Sequence, residues 1–218
     1  MRKADLVALG FLMFAGCNEE KNPDSSWKRT YTCSTEIMDL VNASKEQMTK
    51  EKEKIINSIE INVDQDFQKV PPRIILESIL EDDLVINCGD PIKGEVIATW
   101  SGVITLNDGH HRRLVENYFN HRTILTDEME LGNNVVENLD AKDFEDVYYA
   151  IYMTYFALAD IADTLVHEAT HANFEYYGFQ HRHPDTTKFD SFYEYGKAAK
   201  EAIWKKFGEE VGKIPEKK

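Results

Sequence analysis

Apolar residues recur at helical spacing from Ile37 through Leu40, Val41, Met48, Ile55 and Ile56 to Ile59, with Lys and Glu between them. Ser34 or Thr35 can cap this stretch, which predicts one amphipathic helix whose charge run, Lys45 to Lys54, forms the solvated face. Pro71-Pro72 breaks the chain, and Pro72 can open a second helix through Ile74, Leu76, Ile79 and Leu80. Leu84 to Asn87 is a short strand candidate. Glu95 to Leu106 is rich in Val, Ile, Thr and Trp and is interrupted by Ser101-Gly102, which predicts a bulged strand or a tight pair. Asn107-Asp108-Gly109 then reads as a turn, Leu114, Val115, Tyr118 and Phe119 as a short helix, and Gly132-Asn133-Asn134 as another break.

From Lys142 to about Tyr177 neither Gly nor Pro interrupts a helical pattern, and Tyr148 to Leu158 is strongly apolar. The aromatic residues there, Tyr148, Tyr149, Tyr152, Tyr155 and Phe156, read as a core-facing stripe. A segment of this length has room for two helices meeting near Asp160. Gly178 supplies the stop. A polar loop from Gln180 to Lys188 leads into a last helix from about Phe189 to Phe207, ending at Gly208. Helices with a few short strands among them predict an α+β, mostly helical fold.

A chain of 218 residues with 42% hydrophobic and 11% aromatic content can build one packed domain. Its net charge of -14 and its lack of a basic stripe argue against a nucleic-acid partner. Arg2 and Lys3 followed by apolar Leu6 to Ala15 read as a targeting segment, too short to span a bilayer. Phe14-Ala15-Gly16-Cys17 resembles the lipobox of bacterial lipoproteins, which implies export and membrane attachment through a lipid on Cys17. Asn18 to Lys28 is polar enough to serve as a tether. The resulting organisation is a signal peptide over 1–16, a lipidated, flexible tether over 17–33 and a globular domain over 34–218. With Cys17 so used, Cys33 and Cys88 remain. Their pairing would staple the start of the first helix to the middle of the chain, and their spacing does not decide it.

The chemistry lies in His167-Glu168-Ala169-Thr170-His171, an H-E-x-x-H pattern inside the long helical stretch. Residues four apart on a helix share one face, so both imidazoles can reach one zinc ion while Glu168 stands beside it as a base. Ile161, Leu165 and Val166 supply a buried side, and small Ala169 and Ala172 permit close packing. The stretch Thr164 to Ala172 resembles the zincin metallopeptidases. The resemblance implies a zincin-like domain with His167 and His171 as the first two zinc ligands and Glu168 as the general base that activates the zinc-bound water. It also implies an edge strand beside the active-site helix, a role assigned to Gly102–Leu106, and a third ligand further on.

Candidates for that ligand are His181, His183, Asp190 and Glu194. The metzincin pattern requires Gly and His where this chain has Phe174 and Tyr177. The gluzincin spacing places the third ligand at Asp190. Aspzincins use aspartate and follow it with a Tyr-Gly pair resembling Tyr195-Gly196. Asp190 and Glu194 share a helix face, so one can bind metal while the other orients a ligand imidazole. His181 and His183 read better as loop residues near substrate. Tyr193 or Tyr195 can offer a phenol to a developing oxyanion, and each also reads as a packing residue. His110-His111 reads as a surface pair, since adjacent helical residues face apart. The expected activity is zinc-dependent peptide hydrolysis on a protein or peptide substrate. The alternative is a lipid-anchored binding or structural protein on an inactive scaffold of the same shape.

Overall fold

A computed structural model describes residues 27–65, 68–81, 83–92, 97–130, 141–179 and 191–211, of which 121–130, 141–148, 191 and 210–211 are described by backbone alone. The expected leader, Cys17, the 132–134 break, the 180–188 loop and three of the four candidate third ligands, His181, His183 and Asp190, lie outside these residues. The fold is mostly helical with a small mixed sheet, an α+β arrangement as the sequence pattern indicates. Strand β1 (Trp27–Tyr31) falls in the segment expected to be tether, so ordered structure begins earlier than composition suggests. The reason is tertiary: Trp27 is buried, lies against Gly89, and donates its indole N–H to Thr99 Oγ1 at 2.7 Å. One side chain thus spans the face of the sheet, and Gly89 must lack a Cβ because Trp27 would stand 2.8 Å from it.

Helix α1 (Thr35–Lys50) begins at Ser34, whose hydroxyl accepts from the Ile37 amide, and buries Ile37, Leu40, Val41 and Met48. The single helix expected here breaks at Glu51 (φ -101, ψ 10), and a separate helix α2 (Lys52–Asn62) follows. The break lets α1 pack on the central helix while Ile55, Ile56 and Ile59 of α2 turn toward the C-terminal one. Lys45, Gln47 and Glu51 are buried at this break, so the charge run is not simply a solvated face. Helix α3 (Pro72–Leu80) opens on its proline and buries Ile75, Leu76 and Ile79.

Strands β2 (Ile86–Pro91), β3 (Ala98–Trp100) and β4 (Ile104–Asn107) complete a sheet of order β1-β2-β4-β3. Strand β1 is antiparallel to β2, β2 parallel to β4, and β3 antiparallel to β4. Within the Glu95–Leu106 stretch, the described residues 97–106 are therefore the tight pair rather than the bulged strand. A disulfide joins Cys33 to Cys88, beside the Tyr31–Cys88 register pair.

Helix α4 (Asp108–Glu130) starts directly from β4. Asn107-Asp108-Gly109 is thus a helix start rather than a reversing turn, because the Asn107 side-chain oxygen accepts from the His110 amide at 3.1 Å and caps the first turn. Helix α5 (Ala141–Tyr176) runs unbroken past Asp160. Its middle is buried on nearly every side, at Leu158, Ile161, Ala162, Leu165, Val166 and Ala169, because α1, α3, α4, the sheet and α6 all pack on it. It ends at Gly178, whose φ of 75 permits the reversed bonds Gly178 N–H to Glu175 C=O and Phe179 N–H to Phe174 C=O. Helix α6 (Ser191–Val211) continues through Gly208.

Candidate metal centre

Position 196 sets how closely α6 approaches α5. A Cβ there would lie 2.3 Å from Asp163 Oδ1 and 2.6 Å from the Asp163 carbonyl, so glycine is required for the contact. That approach lays the first turn of α6 over the imidazoles of α5. Tyr193 stacks on His167 with ring centroids 4.6 Å apart, and Phe192 meets the edge of His171 at 4.7 Å.

Between these aromatic walls His167 and His171 turn toward one another, with their Nε2 atoms 3.2 Å apart. Two nitrogens each about 2.0–2.1 Å from a tetrahedral zinc stand roughly 3.3–3.4 Å apart, so the pair already has the separation of two ligands on one ion. Glu168 projects beside them and is only 6% exposed. Burial pushes its carboxyl up to about 7, against the opposing hydrogen bond from the Trp100 backbone amide. A base in that range suits proton transfer near neutral pH.

These groups line a cleft of about 460 Å³ whose other wall is residues 97–100. The strand beside the helix is therefore β3, not the Gly102–Leu106 segment expected. Strand β4 cannot take the role because it is paired on both sides, to β2 and β3, and buried along its length. Asp163 and Thr164 join the cleft one turn before His167. Their helical spacing from His167 was legible in the sequence, whereas nothing local marked Trp100.

Asp163 belongs to a charge network. Lys200 of α6 reaches Asp160 at 3.1 Å and Asp163 at 3.3 Å, and His110 of α4 reaches Asp160 at 2.9 Å. Burial raises the Asp160 carboxyl, but His110 and Lys200 outweigh it and hold it below the ordinary range; for Asp163 burial prevails and the carboxyl lies above it. The helix runs unbroken through Asp160, whose carboxylate meets partners from both neighbouring helices rather than marking a junction of two helices. The expected surface pair His110-His111 is also corrected. His110 is tied to Asp160, while His111 is fully buried with Nδ1 2.7 Å from the Asn107 carbonyl, and burial lowers its pKa to about 4.

The remaining expected site residues divide. Tyr193 faces the cleft and is 59% exposed. Tyr195 does not. It is completely buried beside Phe174 and Phe192, where burial pushes its phenol up to about 12, so it is a core residue rather than an oxyanion donor. Glu194 is not among the cleft residues and instead stands 3.7 Å from Lys197. Among the described residues no group of three His, Cys, Asp or Glu side chains is placed to hold a metal. Also among them, no helix is long and apolar enough to cross a membrane. Comparison with protein-family models, with curated proteins and with solved structures gives no match.

Proposed function

We propose that this chain is a zinc-dependent metallopeptidase of the zincin type, acting on an extended peptide in the cleft between β3 and α5. The observation that carries the reading is the 3.2 Å approach of the His167 and His171 Nε2 atoms beside a buried Glu168. Those two imidazoles would hold zinc, with a further ligand from outside the described residues, for which Asp190 is the first candidate. When bound, zinc supplies Lewis acidity to a substrate carbonyl and lowers the pKa of a coordinated water.

The chain's own groups supply the rest. In the antiparallel pairing with β4, Ile97 and Ser101 direct backbone groups inward, as the Asn107 N–H to Ile97 C=O and Ser101 N–H to Val103 C=O bonds record. Alternation then turns the backbone groups of Ala98 and Trp100 to the outer edge, toward the cleft. A peptide aligned on Ala98 by strand addition would lie across the imidazole pair. Glu168 takes the proton of the attacking water and returns it to the departing amine. The Tyr193 phenol, exposed at the cleft, would donate to the carbonyl oxygen as charge develops there.

The test is direct. Purified protein should carry about one equivalent of zinc and cleave a fluorescent casein, chelation should abolish cleavage, and Glu168→Gln should retain zinc while losing roughly 10²–10⁴ in rate. Failure to take up zinc, or full activity in Glu168→Gln, rejects the reading.

A further inference from the structure

Strand β3 is three residues long, lies at the end of the sheet, and has β4 as its backbone neighbour. Strands this short at an edge open readily, because few ladder hydrogen bonds restrain them. Yet the same strand forms one wall of the cleft, and its height above α5 fixes the distance between a docked peptide and the His167–His171 pair. Something beyond the ladder has to hold it.

Trp100 is the residue at which that restraint is visible. Its backbone amide donates to the Glu168 carboxylate. Its indole Nε1 donates to Glu175 Oε2 at 2.5 Å. Glu168 and Glu175 stand seven residues apart, two turns of one helix, so they share a face and lie about 10.5 Å apart along the axis. One strand residue thus meets two carboxylates on one helix, one at the imidazole pair and one beyond it. On the opposite face of the strand, Thr99 accepts from Trp27. Two anchors on the helix side and one on the sheet side leave β3 little freedom to tilt or lift.

We infer that Glu175, acting through the Trp100 indole, is a positioning residue that holds β3 at the height over α5 needed to receive an extended peptide. The inference rests on the peptidase reading above. Glu175 is exposed at the surface and outside the cleft lining, so its removal leaves the metal pair and Glu168 untouched.

The experiment compares wild type with Glu175→Ala, Glu175→Gln and Trp100→Phe. Amide hydrogen exchange over residues 97–101 reports the strand, zinc content reports the metal centre, and cleavage of a fluorescent casein reports function. A net hydrogen bond of ordinary strength corresponds to roughly a two- to tenfold effect. The Ala and Phe variants should therefore exchange faster in β3 by about that factor and lose a similar factor in kcat/KM, mostly through KM, with zinc content unchanged. Glu175→Gln keeps an acceptor for the indole and should restore both. Unchanged exchange in Glu175→Ala overturns the restraint. Faster exchange with unchanged KM overturns the positioning role while leaving the peptidase reading intact. A wild-type protein that neither holds zinc nor cleaves casein overturns both, and is told apart by the zinc measurement.

Discussion

Gly196→Ala sets two effects of opposite sign against each other. Intrinsic helix propensity favours alanine by up to about 1 kcal/mol, and a site with open space should show that gain. At position 196 there is no space: the new Cβ would stand 2.3 Å from Asp163 Oδ1 and 2.6 Å from the Asp163 carbonyl oxygen. A carboxylate can rotate, though this one is held by Lys200. The carbonyl belongs to the backbone of α5 and cannot move alone, so α6 must retreat by roughly 1 Å to restore van der Waals contact. Overpacking of this kind costs about 1–3 kcal/mol, which exceeds the propensity gain. We expect a net loss of about 1–2 kcal/mol in urea unfolding, and a melting temperature lower by roughly 2–8 °C for a chain of this size. The retreat also lifts Tyr193 from His167, so zinc affinity should fall with stability. Gly208→Ala is the internal control, because it lies on the same helix with nothing within 4 Å of the added atom, and it should be neutral or stabilising. If Gly196→Ala is as stable as wild type, the close approach of α6 to α5 is not the constraint described here.

Zinc in excess should raise the melting temperature of wild type, by about 2.7 kcal/mol of stability at a free concentration 100 times the dissociation constant, and leave His167→Ala and His171→Ala unmoved; equal shifts in all three would place the metal elsewhere. His111 is neutral when folded, with a pKa of about 4 against the ordinary 6.5, so the unfolded chain takes up its proton first as pH falls. Its contribution is fully present above pH 6.5 and is lost toward pH 4, by roughly 3 kcal/mol in all, and the stability difference between wild type and His111→Gln should shrink across that window; a difference constant with pH would refute the burial argument. The Cys33–Cys88 bridge closes a loop with a sequence separation of 55, for which chain entropy gives roughly 4 kcal/mol, so the double serine variant should unfold at correspondingly lower urea. An unshifted midpoint would show that the thiols do not pair. Tyr193→Phe should keep the stack on His167 and the zinc while lowering kcat, whereas unchanged kcat removes the phenol from the chemistry.

Local pattern determined a good deal. The spacing of apolar residues located α3 with its proline start, the long α5 with its Gly178 stop, and the α+β class, because these depend on forces between residues a few positions apart. H-E-x-x-H on an uninterrupted helix brought His167 and His171 to one face, with Glu168 beside it, for the same reason: the 3.6-residue repeat is a property of the chain itself. Tertiary structure decided everything that depends on which element lies opposite. Trp27 became part of the sheet because Gly89 and Thr99 receive it, and the helix expected from Ser34 onward broke at Glu51 because its two halves pack on different neighbours. Tyr193 and Tyr195 are equivalent in sequence, yet one meets His167 and the other the core, since the close contact at Gly196 fixes the rotation of α6. Strand β3 rather than Gly102–Leu106 lines the cleft because strand order in a sheet is a non-local choice, and no local spacing encodes which strand is left at the edge.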